Sequence, residues 1–324
     1  MRRSMLAAAV LVGVAVVGSA VPTGGAGAAQ GPIAWGATVR PSGSQTTLDA
    51  VHAFETKVGR SLAATRDFLS WDSPFPTSYE NGLKADGTTV LLSVATSRVS
   101  GGQIKWASIA SASPTSQLYL DMKSWADRIR DFGAPIYVTL QHEPEASTKT
   151  SLGTSADYIA AWRAWVGVLR AEGATNAKTM WITTAFAHKL GAGDRRQASK
   201  WYPGDDVVDA LSVDAYNWYT CRASVKNPWN TLQQLLSGFM TFAANHTTKE
   251  MWLAEYASVE DPAQAGRKAQ WLRDAQALLQ TAPYARFKGV LYFDLNKACD
   301  WRVETVPGTL AEFSAMGRDP YFQG

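Results

Sequence analysis

Pro135-Ile136-Tyr137-Val138-Thr139-Leu140-Gln141-His142-Glu143-Pro144-Glu145 opens as a short apolar, β-branched run and closes on two carboxylates split by a proline. The run has the length and composition of a buried strand, and Pro144 turns the chain away just after it. A second stretch has the same build: Met251-Trp252-Leu253-Ala254-Glu255-Tyr256 also places a carboxylate directly behind apolar residues. A charge in that setting is costly unless it is paired, hydrogen-bonded or used in chemistry.

Similar runs begin near Ile33, Leu62, Thr88, Pro135, Lys178, Val207, Met251 and Phe287. Amphipathic stretches separate most of them. Residues 118–132 carry Leu118, Met122, Trp125 and Ile129 at helical spacing; residues 155–171 carry Tyr158, Trp162, Trp165 and Leu169; 231–244 and 263–279 behave alike. Gly133 and Gly173 stand where the first two helices should stop, and the helix tryptophans are expected to pack on the sheet. Eight strands alternating with helices predict a single-domain (β/α)8 barrel of the TIM type, with a doubly wound open sheet as the alternative. In a barrel the fourth and seventh strand ends face each other across the central opening, so Glu143 and Glu255 would flank a bond lying there. Two carboxyls in that relation suit glycoside hydrolysis with retention, which needs a separation of about 5 to 5.5 Å. The alternative is a pair of structural acids, with Arg66 on the second strand as ionic partner. Residues 97–116, a long polar stretch after the third strand, either wall a cleft or form a surface excursion.

Residues 1–28 read as an export leader: Arg2 and Arg3, an apolar run from Leu6 to Val17, then small residues ending in Ala26-Gly27-Ala28. Its removal leaves residues 29–324 as one catalytic domain, ample for a large core, and the expected location is extracellular. The apolar run is too short to span a bilayer, and no later one approaches about 18 residues. Formal net charge falls from +3 to about +1 once the leader's two arginines go, which gives no reason to expect nucleic acid or an anionic surface as partner. No membrane association is expected after cleavage, and a monomer is expected. Cys221 and Cys299 are the two cysteines; in an exported chain one disulfide is the expectation, two buried thiols the alternative. The four histidines form no metal-ligand cluster, so no metal is predicted. Asn245-His246-Thr247 is a formal glycosylation sequon. Tryptophan, at 13, outnumbers Phe and Tyr at 11 each, and planar rings stack on sugars as well as filling cores.

With these strand ends the chain resembles the clan A glycoside hydrolases, whose acid/base and nucleophile follow strands four and seven. Within the clan it is most similar to family 26, the β-mannanase and β-glucanase type. His142-Glu143 has that family's form after strand four. Phe54-Glu55 with Gly59-Arg60, Phe68-Leu69-Ser70-Trp71, Gly173-Ala174-Thr175-Asn176-Ala177 and Trp201-Tyr202-Pro203-Gly204-Asp205-Asp206 resemble the family's earlier segments. Val213-Asp214-Ala215-Tyr216-Asn217, Lys249-Glu250-Met251-Trp252-Leu253-Ala254-Glu255 and Asp300-Trp301-Arg302 resemble strand six, the nucleophile strand and the stretch after strand eight.

The resemblance implies roles. Glu143 would protonate the leaving oxygen and later deprotonate water, and Glu255 would attack the anomeric carbon. Tyr216 would hydrogen-bond the nucleophile, and His142 would bind substrate or position Glu143. Trp301 and Trp71 would stack at sugar subsites, while Asn217, Glu145 and Arg66 complete the candidates for binding or orienting substrate. Glu145 competes with Glu143 as the acid, but Pro144 leaves Glu143 the better placed. Mannan-cleaving relatives usually carry Arg four residues before the acid, a Met-Asn-like pair after it and then a Trp walling the cleft. Here Thr139 and Pro144-Glu145 stand instead, and no Trp occurs between Glu143 and Trp162.

The resulting expectation is a secreted, endo-acting retaining hydrolase of a β-linked polysaccharide, β-mannan or β-glucan in type or a less common microbial polymer. Acid, base and nucleophile are side chains, so no cofactor is called for. A non-catalytic carbohydrate-binding protein on a degenerate barrel would need neither acid. A Ser-His-Asp hydrolase would need a Gly-x-Ser-x-Gly elbow that this chain lacks.

Overall fold

A computed structural model describes residues 32–221, 227–306 and 308–324. The proposed leader at 1–28 lies outside the described residues. Eight strands form: β1 Ala34–Thr38, β2 Ala64–Leu69, β3 Thr89–Val94, β4 Ile136–Leu140, β5 Ala177–Thr184, β6 Ala210–Asn217, β7 Glu250–Ser258 and β8 Phe287–Phe293. All neighbours pair in parallel in chain order, and β8 closes on β1 with Ala34 opposite Gly289 through Thr38 opposite Phe293. That closing register excludes the open-sheet alternative. Each strand begins within about three residues of its expected start.

The helices are α1 Thr47–Val58, α2 Ser78–Ala85, α3 Trp106–Ala110, α4 Gln117–Phe132, α5 Ser155–Ala171, α6 Leu232–Ala243, α7 Arg267–Leu279 and α8 Thr309–Arg318. Four start with reciprocal caps, Thr46 with Asp49, Thr77 with Glu80, Thr154 with Asp157 and Thr231 with Gln234. Each satisfies amide groups that a helix start leaves unpaired. Gly133 ends α4 in the left-handed region, at φ 73°. Two details depart from strict alternation. The β5–β6 crossover holds only short 3-10 turns, and β3 is followed by two helices. Helix α7 starts at Arg267, not Ala263, because Asp261 accepts from the Ala263 amide and the Arg267 guanidinium and holds the approach as a turn.

Two apolar layers result. The barrel interior holds Ala64, Leu91, Tyr137, Met180, Ile182, Ala210, Trp252, Ala254 and Leu291. A larger layer lies between strands and helices and takes in Trp125, Trp162 and Trp165, as the helical spacing predicted. Residues 97–116 are anchored here: Trp106 and Ile109 are buried, and the Trp106 ring lies 5.3 Å from that of Tyr158. Among the described residues no helix is long and apolar enough to cross a membrane.

Trp252 fills the barrel floor against Tyr137, ring centroids 4.5 Å apart, and needs a neighbour without a side chain. Gly289 supplies it, since a Cβ there would come within 1.9 Å of the Trp252 ring. Gly289→Ala is expected to destabilise the fold by about 1–3 kcal/mol, lowering the urea midpoint. Gly102→Ala, where a Cβ meets nothing within 4 Å, should leave the midpoint unchanged.

Candidate active site

The chain leaves β4 by bonding alternately to its two neighbours. The Gln141 amide donates to the Val94 carbonyl at 2.8 Å, and the Glu143 amide to the Ile182 carbonyl at 2.9 Å. Both residues have φ 49°, a left-handed conformation that costs a residue with a side chain on the order of 1 kcal/mol or more. Surrounding bonds hold the path. Gln141 Oε1 accepts from the Thr96 amide and hydroxyl, each at 3.0 Å. Glu145 Oε1 accepts from the Thr184 amide at 2.7 Å and its hydroxyl at 2.8 Å.

On the opposite side β7 carries an extra residue. Leu253 pairs with Val213 and Val290, yet Glu255 pairs with Asp214, the next residue of β6, and Tyr256 with Tyr292. Trp252 and Ala254 point into the barrel. In a regular strand Glu255 would therefore point outward toward the helices, since successive side chains alternate. The bulge re-aims it, so Glu255 lines the cleft while Tyr256 packs outside against Trp271.

Arg66 of β2 lies beneath both acids with its side chain wholly buried. Its Nη1 donates to Glu255 Oε1 at 2.8 Å and to Asp214 Oδ1 at 3.2 Å, and its Nε to Ser93 Oγ at 3.0 Å. The Tyr216 hydroxyl donates to Glu255 Oε2, so each oxygen of that carboxylate accepts a hydrogen bond. Phe68 packs between Arg66, 4.6 Å from its ring, and His142, whose ring meets it edge-on at 5.4 Å.

Burial opposes the Arg66 charge, but Asp214 and Glu255 outweigh it and hold the guanidinium protonated. Burial, and next the charge of Glu255, push the Glu143 carboxyl up to about 8. The same two causes hold Asp214 well above the carboxylate range. Burial alone raises Glu145 to about 7 against its bonds to Thr184. His142 is held well below its ordinary value by burial first, then by Arg66, Lys149 and Lys297. Crowding of three carboxyls around one guanidinium thus raises both Glu143 and Asp214 above their ordinary values.

Two cavities meet at Glu143, Tyr216 and Trp218. The larger, about 810 Å³, is lined by His142, Glu255, Phe293 and the 294–298 loop; the smaller, about 390 Å³, by Glu145, Asp214, Phe186 and Asn230. Glu143, Glu255, His142, Tyr216, Glu145 and Arg66 are therefore brought together. Arg66, wholly buried, lines neither cavity, and three further expected residues are not sugar-facing. Trp71 is 1% exposed, lines neither cavity and donates its indole N–H to Asp121 at 2.9 Å. Trp301 touches the larger cavity but is also 1% exposed, its ring packed against Tyr216 at 4.8 Å and Trp218 at 5.0 Å, so it offers no face for stacking. Asn217 is buried and bonds Ser258 Oγ and the Asn230 amide, fixing the chain after β6. Residues 97–116 line neither cavity. Eleven of the 13 tryptophans are buried, which leaves Trp218 as the one at the cleft. Asp214 and Trp218 were missed; Asp214 had a legible signal, a carboxylate inside the apolar run of β6.

Cys221 and Cys299 are disulfide-bonded, their Cα atoms 5.7 Å apart, tying the segment after β6 to the loop after β8. Among the described residues no group of three or more His, Cys, Asp or Glu is spaced to hold a metal ion.

No family model matches the chain. Endoglucanase H of Acetivibrio thermocellus is 29% identical over 280 residues, which cover 84% of this chain; the chain spans 29% of that protein's length. The catalytic domain of a family 26 endo-β-1,4-mannanase from a Bacillus species superposes with TM-score 0.63 at 16% identity, covering 90% of this chain and 86% of that one. A family 26 β-mannanase from Bacteroides ovatus gives 0.60 at 18% identity over 90% and 89% of the two chains. The family 26 domain of an endo-β-mannanase/endo-β-glucanase from Prevotella bryantii gives 0.60 at 16% over 90% and 90%. At such identities the structures show a shared fold, and the likeness to family 26 read from the strand ends is borne out.

Because Glu143 keeps a proton that the unfolded chain releases near pH 4 to 5, the folded state binds more protons up to pH about 8. The contribution of Glu143 to stability should therefore fall as pH rises through that window. Glu143→Gln should change the difference in melting temperature between about pH 5 and 8 in the direction of greater relative stability at pH 8. Glu145, Asp67 and Asp294 contribute with the same sign as Glu143, and His142 and His188, held below their ordinary value by burial, with the opposite sign below about pH 6.5. Denatured, unreduced protein should titrate no free thiol.

Proposed function

We propose that this cleft hydrolyses a β-linked polysaccharide with retention of anomeric configuration, Glu143 serving as acid and base and Glu255 as nucleophile. The observation that carries the reading is the opposite treatment of two carboxyls facing one cleft. Glu143 is crowded until it holds its proton to about 8, while Glu255 is gripped on both oxygens by Arg66 and Tyr216. An acid that is still protonated at neutral pH beside an oriented carboxylate is the division of labour double displacement requires.

In the first step Glu255 attacks the anomeric carbon as the bond to the leaving oxygen breaks, and that oxygen takes the Glu143 proton. The ester that forms removes the negative charge from Glu255, so Glu143 gives up its proton more readily once the leaving group departs. In the second step Glu143 takes a proton from water, the hydroxide oxygen bonds the anomeric carbon, and Glu255 leaves as carboxylate. The bond electrons and protons all come from side chains, substrate and water, so these steps use no cofactor. Trp218, half-buried at the junction of the two cavities, offers the ring on which a sugar stacks.

The named activities of the similar proteins, an endoglucanase and endo-β-mannanases, support internal cleavage of a β-glucan or β-mannan backbone. The leader pattern at 1–28 and the disulfide support export and action outside the cell.

Glu255→Ala and Glu143→Ala should each lower kcat/KM by about a thousandfold or more. Azide should partly rescue Glu255→Ala with release of an α-glycosyl azide, and NMR should show the β-anomer as first product. In wild type, kcat/KM should fall at alkaline pH with an apparent pKa near 8 as Glu143 ionises. Undiminished turnover by Glu255→Ala would overturn the mechanism. Retained affinity with no sugar released from mannan, mixed-linkage glucan, laminarin or xylan would replace it by a binding protein.

A further inference from the structure

The floor of the cleft is balanced in charge, but its rim is not. Arg66 is matched by the carboxyls it bonds, Arg302 by Asp300 at 2.7 Å and Arg196 by Asp194 at 2.7 Å. Arg40 just after β1, Lys149 in the turn Ser147–Leu152 and Lys297 in the loop after β8 differ. None of the three makes an ion pair within 4.0 Å among the described residues. Arg40 and Lys297 are exposed and line the 810 Å³ cavity together with His142 and Glu143. Arg40 lies over the Phe68 ring at 6.0 Å. Lys149 and Lys297 both act on the His142 ring, and on each other, as like charges.

The acids in reach do not neutralise this rim. Glu143 is raised to about 8, and Glu255 is engaged by Arg66 and Tyr216. Asp67, on which Arg40 acts, is raised to about 7 by burial and Glu80 and accepts from the Phe68 amide, and Asp294, raised to about 7 by burial and Glu304, accepts from the Val303 amide. Two cations, Arg40 and Lys297, converge from the ends of β1 and β8 on one half of the cleft, and an excess of one sign of charge at the rim of a concavity concentrates ligands of the other. The nearly neutral total charge conceals this, because it averages over the whole surface.

We propose that the glycan taken by this cleft carries anionic substituents, read by Arg40 and Lys297 in the larger half of the site. The proposal rests on the reading of the cleft as a glycan site and goes beyond it in naming an acidic polymer. Carboxylate, as in a uronic acid, and sulfate ester share the chemistry these cations recognise.

The test measures binding to the full chain bearing Glu143→Gln, which is uncharged like the protonated acid it replaces and cannot complete turnover. Soluble mixed-linkage β-glucan and glucomannan are compared with their carboxymethylated and sulfated derivatives by affinity electrophoresis. At about 20 mM salt one or both anionic forms should bind about tenfold tighter than the neutral parent, and the gain should fade by about 0.5 M. The two derivatives tell carboxylate from sulfate. Adding Arg40→Gln and Lys297→Gln should abolish the gain while measurable affinity for the neutral chain remains, which shows an intact cleft. Equal affinity for neutral and anionic chains, or a gain that survives the double substitution, would overturn the proposal. If wild type releases no sugar from any of these chains, the hydrolytic reading fails and the binding comparison still decides this one.

Discussion

One buried guanidinium sets the conditions for everything at the cleft. Arg66 rises from β2 into the barrel and is bonded to β3 through Ser93, to β6 through Asp214 and to β7 through Glu255. Taking such a charge out of water costs several kcal/mol, recovered only when its partners are in place, and removing one partner from a buried pair costs about 3–5 kcal/mol. The bond network therefore fixes the barrel mouth and the electrostatics together. With one cation among three buried carboxyls, Glu143 is raised to about 8 and Asp214 above its ordinary value, while the guanidinium is directed at Glu255. The contrast between Glu143 and Glu255 follows from which of them the guanidinium bonds.

Two backbone departures aim the acids at that centre. Glu143 arrives on a segment with two left-handed residues, and Glu255 on a strand with one residue too many. Neither is favoured locally. Each is held by bonds to adjacent strands, the Gln141 and Glu143 amides on one side and the doubled pairing of β7 on the other. Backbone strain at this place and nowhere else in the sheet among the described non-glycine residues, apart from Tyr219 just beyond β6, fits a site where position outweighs comfort.

The aromatic content divides between these roles. Most tryptophans support the barrel from outside or fill its floor, as Trp252 does against Gly289. Trp71 and Trp301, read as sugar platforms because they lie beside strand ends, belong to this supporting set. A strand-end position says that a residue is near the mouth; whether its ring faces the opening or the packing behind it depends on the side chains around it. Trp301 is covered by Tyr216 and Trp218, residues about 80 positions earlier in the chain.

By itself the sequence determined the eight strands, their alternation with helices and the two strand ends that bear acids, because each depends on local period and on the cost of a charge behind apolar residues; closure into a barrel was decided by the pairing of β8 with β1. It also contained the signal for Asp214. The tertiary structure alone decided which way those acids point, since a bulge reverses the alternation that a pattern of residues assumes. It decided that Arg66 joins Glu255 to Asp214, that Cys221 meets Cys299, and that Arg40 and Lys297 line one cavity. These are relations between groups tens to hundreds of residues apart, and Coulomb energy and burial depend on distance in space, which composition and spacing along the chain do not carry.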